Sequence, residues 1–388
     1  MKPDTHIVHT GRHPERQHGF VNPGVYHGST VLFPSLADMK AAQSDPYRAH
    51  FYGRLGTPTS RALEEAIADL EGAPHCVATA SGLAAIIAGV IGFLKTGDHM
   101  LVVDSVYGPA RRFFNDTLRR FGVDVQYYDP MTGADIADLL RANTKVVYCE
   151  SPGSGSFEVQ DLPAIASAAH AIGAKVVIDN TWASPVLFKP FAHGADVSIQ
   201  AATKYIVGHS DAMMGSISMT EEVFPIVRAA ARDLGAPPGP DDCYLALRGI
   251  RTLGLRLTRH QETGLKLANW FASRPEVHRV LHPGLAACPG HAIWKRDFLG
   301  ASGLFGVVFK DASEAAVAAM IDGYELFGIG FSWGGFESLV LPTHPEAGRE
   351  VTGWTMPGPT IRYHAGLEDP DDLIADLEKG MARLTKTG

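Results

Sequence analysis

Short apolar runs alternate with amphipathic segments through the middle of the chain. Between residue 75 and about residue 220, runs rich in Val and Ile are separated by stretches whose apolar residues recur at helical spacing. The runs read HCVATA, HMLVVD, VDVQYY, KVVYCE, KVVIDN, DVSIQA and GSISMT. This alternation predicts an α/β fold in which helices cover both faces of a mostly parallel central sheet.

The pattern changes on either side of this region. Residues 1–55 are rich in Gly, Pro and His with little periodicity, which predicts an irregular arm that contacts a neighbouring subunit. After about residue 250, a long helix with a basic polar face precedes strands in VHRVLHP, GLFGVVFK, LFGIGFS, ESLVLP and TIRYHAG, with helices at about 312–322 and 370–385. We therefore predict an arm (1–55), a large domain (56–250) and a smaller α+β carboxyl-terminal domain (251–388).

Composition narrows the classes of partner. With 45% hydrophobic and 20% charged residues, the chain resembles an ordinary globular protein. A net charge of -8 and the lack of a Lys/Arg-rich block argue against nucleic acid or a membrane as the main partner. The chain has no long uncharged apolar run and no apolar region near its amino terminus, so we expect a cytoplasmic protein.

Cysteine and histidine spacing gives no sign of a metal. The four cysteines are scattered without CxxC spacing, which predicts free thiols. The 17 histidines include no HxH or HExxH pair, so we predict no metal site.

Two charged residues follow predicted strands and suggest covalent chemistry. Asp179 ends the run KVVID, and Lys204 lies just past DVSIQA. In a parallel sheet both fall at the carboxyl edge, where ligands bind, and Ser81, Tyr107 and Glu150 fall there as well. A lysine that forms a Schiff base and an aspartate that keeps a pyridine nitrogen protonated are what pyridoxal phosphate requires. A solvated surface lysine is the alternative.

Two further places are suited to anions. Ser81, Gly82 and Leu83 lie where a strand passes into a helix, so their amides form either a phosphate cradle or an ordinary turn. Arg362 stands between Ile361 and Tyr363 in a predicted strand, and its side chain therefore points away from theirs. A half-buried arginine requires an anionic partner, and a structural salt bridge within the protein is one possibility.

Seven motifs together resemble one family of enzymes. The sequence is similar over nearly its whole length to the trans-sulfuration, or Cys/Met metabolism, family of pyridoxal-phosphate enzymes, and within it to the cystathionine β-lyase branch. The motifs are SIQAATKYIVGHSDAMMG, YGRLGTPT, TASGLAA, VIDNTWASP, RGIRTL, SGLFG and FSWGGFESL. The resemblance implies a fold-type-I, aspartate-aminotransferase-like structure whose large domain binds pyridoxal 5'-phosphate, assembled as a homotetramer, a dimer of dimers.

The resemblance also assigns roles to individual residues. Lys204 would carry the cofactor and act as the base, and Tyr107 would stack on the ring, where its phenol would act either on a proton or on the substrate amine. The remaining cofactor contacts would come from Asp179, Ser81, Gly82, Leu83 and Thr203, and from Tyr52 and Arg54 of the neighbouring subunit. Substrate would be bound by Arg362, Ser332, Trp333 and Tyr52.

Two departures from the family pattern bear on the reaction. Trp333 stands where many γ-acting relatives have a smaller residue, and ESPGSGSFE lacks the asparagine of their E-x-P-x-N-P motif. Both favour β-elimination, in which cystathionine is cleaved to homocysteine, pyruvate and ammonia in methionine biosynthesis, or another cysteine S-conjugate is cleaved to its own thiol, pyruvate and ammonia. The alternative is a γ-acting relative, namely cystathionine γ-synthase, γ-lyase or O-acetylhomoserine sulfhydrylase.

Two other classes of protein are less consistent with the sequence. The GxG pairs at Gly153 and Gly328 do not complete a GxGxxG motif between a strand and a helix, so nicotinamide binding is not predicted. A non-catalytic regulator on the same scaffold would have no need to keep Lys204, Asp179 and Arg362 together.

Overall fold

The seven apolar runs form a single sheet in the computed structural model, which describes residues 1–387. The strands are β1 (His75–Thr79), β2 (His99–Val103), β3 (Asp124–Tyr128), β4 (Thr144–Glu150), β5 (Lys175–Asp179), β6 (Val197–Gln200) and β7 (Gly215–Met219). Their order is β1-β7-β6-β5-β4-β2-β3, and only β7 runs antiparallel to its neighbours. The prediction of a mostly parallel α/β sheet is confirmed.

Helices cover this sheet and explain its apolar composition. Every residue of β2, β6 and β7 is buried, as expected where both faces are covered. The helices up to residue 250 are α1 (Pro3–His9), α2 (Leu36–Ser44), α3 (Pro58–Glu71), α4 (Gly82–Ile91), α5 (Gly108–Arg112), α6 (Leu162–Ala171), α7 (Ser184–Leu187), α8 (Phe224–Leu234) and α9 (Pro240–Ile250). A π-helical turn, Phe113–Leu118, continues α5.

The prediction that residues 1–55 are irregular is wrong in part, because α1 and α2 lie within them. Helix α1 buries one apolar side chain, Ile7, and Arg251 Nη1 donates a hydrogen bond to the Thr10 carbonyl at 2.7 Å. These contacts come from distant parts of the chain. A short helix held by tertiary packing therefore shows no helical periodicity in its own sequence.

A second sheet forms the centre of the carboxyl-terminal region. Its strands are β8 (Val277–Leu281), β9 (Leu304–Phe309), β10 (Gly328–Ile329), β11 (Leu339–Thr343) and β12 (Thr360–His364), in the order β10-β11-β12-β9-β8. The helices here are α10 (Leu253–Ala272), α11 (His291–Asp297), α12 (Glu314–Asp322) and α13 (Pro370–Thr387). A separate apolar core containing Phe271, Phe305 and Tyr363 packs between this sheet and its helices.

The sequence predicts that α10 has a basic polar face. In the structure, some of its basic residues lie on the buried face instead. Arg256 and His260 are buried, together with Leu253 and Leu257. Arg256 Nη1 donates to the Tyr205 carbonyl at 2.7 Å, and Nη2 donates to the Gly249 carbonyl at 2.8 Å. The Arg256 side chain therefore holds the segment that follows Lys204.

Asp104, just after β2, connects the first sheet to the carboxyl-terminal region through hydrogen bonds. Its buried carboxylate accepts hydrogen bonds from the backbone N–H groups of Glu350, Val351 and Thr352 at 2.8–2.9 Å. Arg111 Nη2 donates to the same carboxylate at 2.9 Å. The link between β11 and β12 is thereby fixed against the turn that presents Tyr107.

Three further observations concern residues 1–387. The four cysteines are buried and free in this part of the chain. The described residues contain no group of three or more His, Cys, Asp or Glu side chains able to hold a metal ion. None of their helices is both long enough and apolar enough to cross a membrane.

Candidate active site

The carboxyl ends of β1, β2, β4, β5 and β6 meet at one edge of the first sheet. In the register of β4 and β5, Glu150 lies opposite Asp179. Thr181 joins the next strand: its hydroxyl donates to Asp179 Oδ1 at 2.5 Å and accepts the Ala201 N–H at 2.8 Å. Asp179 is thereby linked to the turn that leads to Lys204.

The Lys204 side chain reaches a turn of the carboxyl-terminal region. Its Nζ lies 2.6 Å from Ser332 Oγ and 5.3 Å from the centre of the Trp333 ring. Burial and the nearby Arg362 guanidinium lower the pKa of this lysine to about 8, although Asp179 opposes the shift. The amine is therefore much more easily deprotonated than a surface lysine.

Asp179 is a buried carboxylate with one free oxygen. The Thr181 N–H and hydroxyl both donate to Oδ1, at 3.0 Å and 2.5 Å, and no donor among residues 1–387 bonds Oδ2. Burial raises its pKa, while the Thr181 hydrogen bonds and the Lys204 charge oppose the rise. A cationic N–H directed at Oδ2 would satisfy the free oxygen and favour the carboxylate form.

Glu150 is a second buried carboxyl group beside Asp179. Its Oε2 accepts the Tyr107 N–H at 2.7 Å, and Ser154 Oγ bonds its other oxygen. Burial and the neighbouring Asp179 raise its pKa to about 8. The sequence placed Glu150 at this edge without a role. The structure shows that it holds the backbone of Tyr107.

The Tyr107 ring remains partly open above the sheet edge. It is 44% exposed, as the Gly-Pro sequence after it suggested. Its pKa is raised by burial and by the charges of Glu150 and Asp179. The ring is therefore a neutral phenol that is available to a planar ligand.

The predicted phosphate turn lies directly against the lysine segment. Ser81 caps α4, with its Oγ accepting the Ala84 N–H at 3.1 Å. No hydrogen bond within residues 1–387 uses the N–H groups of Gly82 and Leu83. A Cβ at Gly82 would lie 2.6 Å from Ala201 Cβ, so this position requires glycine for the close approach.

Three predicted cofactor residues are engaged elsewhere in the chain. The Thr203 hydroxyl donates to the Met214 carbonyl at 3.0 Å, so its hydrogen is not directed at a ligand. Arg54 Nη1 donates to the Arg232 carbonyl at 2.9 Å, and the Tyr52 hydroxyl lies 3.4 Å from Ser29 Oγ. Arg54 lines a cavity of about 330 Å³ that does not include Lys204. Within one chain, Tyr52 and Arg54 are therefore not brought to the lysine.

Arg362 lies beside the turn that carries Ser332 and Trp333. Its Nη2 donates to the Ser332 carbonyl at 2.9 Å, and burial lowers its pKa to about 10. No carboxylate pairs with it in the described part of the chain, so the structural salt bridge left open by the sequence is absent there. A buried guanidinium with donors to spare is suited to a substrate carboxylate.

The sequence did not reveal two buried residues that hold the backbone around this site. Arg256 and His364 contact the lysine segment and the turn at 332–334. The signal for Arg256 was its spacing, because Leu253, Arg256, Leu257 and His260 share one face of α10. A cation on an apolar helix face indicates a buried charge that is hydrogen-bonded within the fold.

The arrangement fits pyridoxal phosphate. It combines an amine of lowered pKa, a buried carboxylate with a free oxygen, unpaired N–H groups at the start of α4 and a partly open aromatic ring. The amine belongs to Lys204 and the carboxylate to Asp179. The N–H groups belong to Gly82 and Leu83, and the aromatic ring is that of Tyr107.

Comparison with known proteins gives the same result. Residues 4–382 match the model of the family described as Cys/Met metabolism PLP-dependent enzyme. The cystathionine beta-lyase MetC of Escherichia coli is 44% identical over 99% of both chains, and the cystathionine beta-lyase of Salmonella typhimurium is 43% identical over 98% of both. A crystal structure of cystathionine gamma synthase from Xanthomonas oryzae pv. oryzae, in complex with aminoacrylate and cysteine, superposes with a TM-score of 0.90 at 32% identity and covers 100% of both chains.

Proposed function

The chain belongs to the Cys/Met metabolism family of pyridoxal-phosphate-dependent enzymes, and we propose that it cleaves L-cystathionine by β-elimination. With one water consumed, the products are homocysteine, pyruvate and ammonia. The enzyme is a carbon–sulfur lyase that uses pyridoxal 5'-phosphate, and the reaction supplies homocysteine for methionine biosynthesis. The observation that carries the proposal is the contact of the Lys204 amine with the turn bearing Ser332 and Trp333.

Each part of the sheet edge has a task in holding the cofactor. Asp179 Oδ2 would accept the ring N–H, Gly82 and Leu83 would donate to the phosphate, and the Tyr107 ring would stack on the pyridine. Bound in this way, pyridoxal phosphate supplies an electron sink for the carbanion that forms at the substrate α-carbon.

Proton transfer is the task of Lys204. Its pKa of about 8 leaves a useful fraction of neutral amine near neutral pH, which is the form that removes the α-proton. The Ser332 hydroxyl, 2.6 Å away, orients that amine. Arg362 would bind the substrate carboxylate and so hold the α-carbon near Lys204 Nζ. The homocysteine thiolate then leaves from the β-carbon, and the remaining aminoacrylate hydrolyses to pyruvate and ammonia.

The choice between β- and γ-cleavage depends on pocket shape, since a γ synthase has the same fold. The Trp333 indole packs 5.4 Å from the Tyr205 ring and stands over the Lys204 amine. A wall of this size limits how far the substrate side chain can extend along the site. The higher identity to cystathionine beta-lyases supports the same choice.

We further propose a homotetramer in which Tyr52 and Arg54 reach the neighbouring subunit's cofactor. The arm exposes several large apolar side chains, which a subunit interface would cover: Phe20 (73% exposed), Val21 (56%), Leu32 (88%) and Leu36 (72%). Four free, buried cysteines are consistent with the cytoplasm, the reducing location that we propose.

The direct test is to identify the products. Purified enzyme with pyridoxal phosphate is incubated with L-cystathionine, and the keto acid and thiol are identified by chromatography and mass spectrometry. Pyruvate with homocysteine is expected. The appearance of 2-oxobutyrate with cysteine would instead assign γ-cleavage, and the absence of any product would favour a synthase.

A further inference from the structure

Two side chains of β12 hold the turn at residues 332–334 from the same side. Arg362 and His364 are two positions apart on the strand, so both point to one face. Arg362 Nη2 donates to the Ser332 carbonyl at 2.9 Å, and the Gly334 N–H donates to His364 Nε2 at 3.0 Å. The turn is therefore fixed on either side of Trp333.

The chemistry of its two partners determines the tautomer of His364. The Gly334 N–H can only donate, so Nε2 is the unprotonated nitrogen. The Glu337 carbonyl can only accept, so Nδ1, 3.2 Å away, carries the proton. The ring is fully buried, and burial together with His260 keeps its pKa well below the ordinary value. His364 is thus a neutral imidazole with both nitrogens in use.

The turn that His364 holds is in close contact with the lysine segment. A Cβ at Gly334 would lie 2.9 Å from the carbonyl carbon of Lys204, and Gly334 itself has φ +87°. Ser332 has φ +77°, an unfavourable conformation for a residue with a side chain. Such a conformation persists only where the surrounding contacts impose it, and the two hydrogen bonds from β12 do so here.

We infer that His364 is a positioning residue for this reaction: by accepting the Gly334 N–H, it places Ser332 Oγ and the Trp333 ring against the Lys204 amine. Without that acceptor, the turn is free to move away from Lys204 while Arg362 still holds its Ser332 end. This inference rests on the proposed function and adds to it a residue that touches neither substrate nor cofactor.

A pair of amide variants separates the two hydrogen bonds of His364. In His364→Gln the amide oxygen reaches the position of Nε2 and can accept the Gly334 N–H. In His364→Asn the shorter amide reaches only the position of Nδ1, so it keeps the Glu337 partner and loses Gly334. The matched control is His282→Gln, because His282 is equally buried and its Nδ1 accepts the Gly284 N–H at 2.9 Å without contacting this turn.

Each holoenzyme is measured in two ways, besides a thermal unfolding midpoint as a check on folding. The first is kcat and KM for L-cystathionine. The second is the pH midpoint of the bound cofactor's visible absorption, which reports the surroundings of the Lys204 nitrogen and requires no substrate. For His364→Asn we expect kcat to fall at least about tenfold with KM changed less, because an ångström of misplacement at a site costs about a hundredfold. The absorption midpoint should move as well.

His364→Gln should recover most of the kcat and the wild-type midpoint, and His282→Gln should match the wild type in both. Wild-type kcat and midpoint in folded His364→Asn would overturn the inference, as would an equal loss in His282→Gln. If His364→Asn did not fold, failure of His364→Gln to keep kcat and midpoint would overturn it. A wild-type enzyme that releases no pyruvate would refute the proposed function, while the absorption midpoints would still decide the role of His364.

Discussion

The Nζ of Lys204 lies 2.6 Å from the Oγ of Ser332, although the two residues are 128 positions apart. One comes from the large sheet and the other from the turn before β11, so the reactive amine sits where the two regions of the chain meet. Small displacements between these regions should therefore affect proton transfer before they affect cofactor binding.

Removal of the Ser332 hydroxyl should lower turnover. In Ser332→Ala we expect kcat for cystathionine to fall roughly tenfold to a hundredfold, because the amine that takes the α-proton loses its orienting hydrogen bond. Cofactor content, measured by absorbance, should stay at the wild-type level. Ser210→Ala is a suitable control, since Ser210 follows the same segment but donates to Glu337. A wild-type kcat in Ser332→Ala would contradict this role.

The pH profile should show the ionisation of the freed lysine. With a pKa of about 8, about a tenth of the amine is neutral at pH 7, and the neutral form is the base. We expect kcat to rise with pH and to level off above about pH 9. Steady-state rates across this range provide the measurement. A profile that is flat between about pH 6 and pH 9 would exclude a base of this pKa.

Arg362 should control substrate affinity. Arg362→Leu removes a buried guanidinium that no carboxylate neutralises within residues 1–387, so we expect KM for cystathionine to rise about a hundredfold or more. Arg362→Lys should recover little of this loss, because a lysine cannot make a bidentate contact. Arg279→Leu on β8, measured in parallel, should leave KM unchanged. An unaltered KM in Arg362→Leu would leave the substrate carboxylate without its proposed partner.

Replacement of Asp104 should lower the stability of the folded protein. In Asp104→Asn the backbone N–H groups of residues 350–352 lose their anionic acceptor, so we expect the free energy of unfolding to fall by about 2 kcal/mol. The hydrogen bonds to the carboxylate hold its pKa below the ordinary value despite the opposing effect of burial. Its contribution is therefore complete above about pH 4 and is lost as the pH falls through the folded-state pKa.

Denaturant midpoints of Asp104→Asn and of the exposed control Asp138→Asn test this at two pH values. The deficit of Asp104→Asn should be equal at about pH 6 and pH 8, since both lie above its titration. Asp138→Asn should match the wild type. A deficit that appears only at the higher pH would mean that another group is responsible.

Complementation tests the shared active site. Arg54→Ala and Lys204→Ala should each be inactive alone, whereas subunit exchange between them should restore about a quarter of the wild-type sites, because half of the dimers are mixed and each has one intact site. Mixing Arg54→Ala with Tyr52→Ala is the control. Both changes lie in the arm, so no mixed dimer has an intact site. Equal recovery in both mixtures, or none in either, would contradict sharing across the interface.

Much of the fold could be predicted from local pattern. All seven apolar runs of the middle region are strands, because short Val- and Ile-rich runs bounded by turns are typical of strands whose two faces are both buried. Helix α1 is not evident from local pattern, because it buries only Ile7 and is held by Arg251, which is distant in sequence and donates to the Ile7 carbonyl. The prediction of a basic polar face on α10 is only partly correct, because Arg256 and His260 lie on the buried face of that helix.

The site could be predicted only where the sheet determines it. Asp179 ends a strand and Lys204 follows one, so the rule for parallel sheets places both at one edge. Arg362 lies on a strand of the second sheet and Ser332 lies in the turn before β11, so their approach to Lys204 depends on how the two regions pack. The family resemblance suggested these residues, whereas local pattern could not show that Ser332 contacts the amine or that His364 supports the turn.

The most direct test of the account is to find where the cofactor is attached. The holoenzyme is reduced with borohydride, digested and sequenced by mass spectrometry, with Lys204→Ala carried through as the control. We predict a single peptide with the reduced cofactor on Lys204, and none from the variant. Attachment to another lysine, such as Lys175 or Lys189, would contradict the assignment of Lys204 and the mechanism built on it.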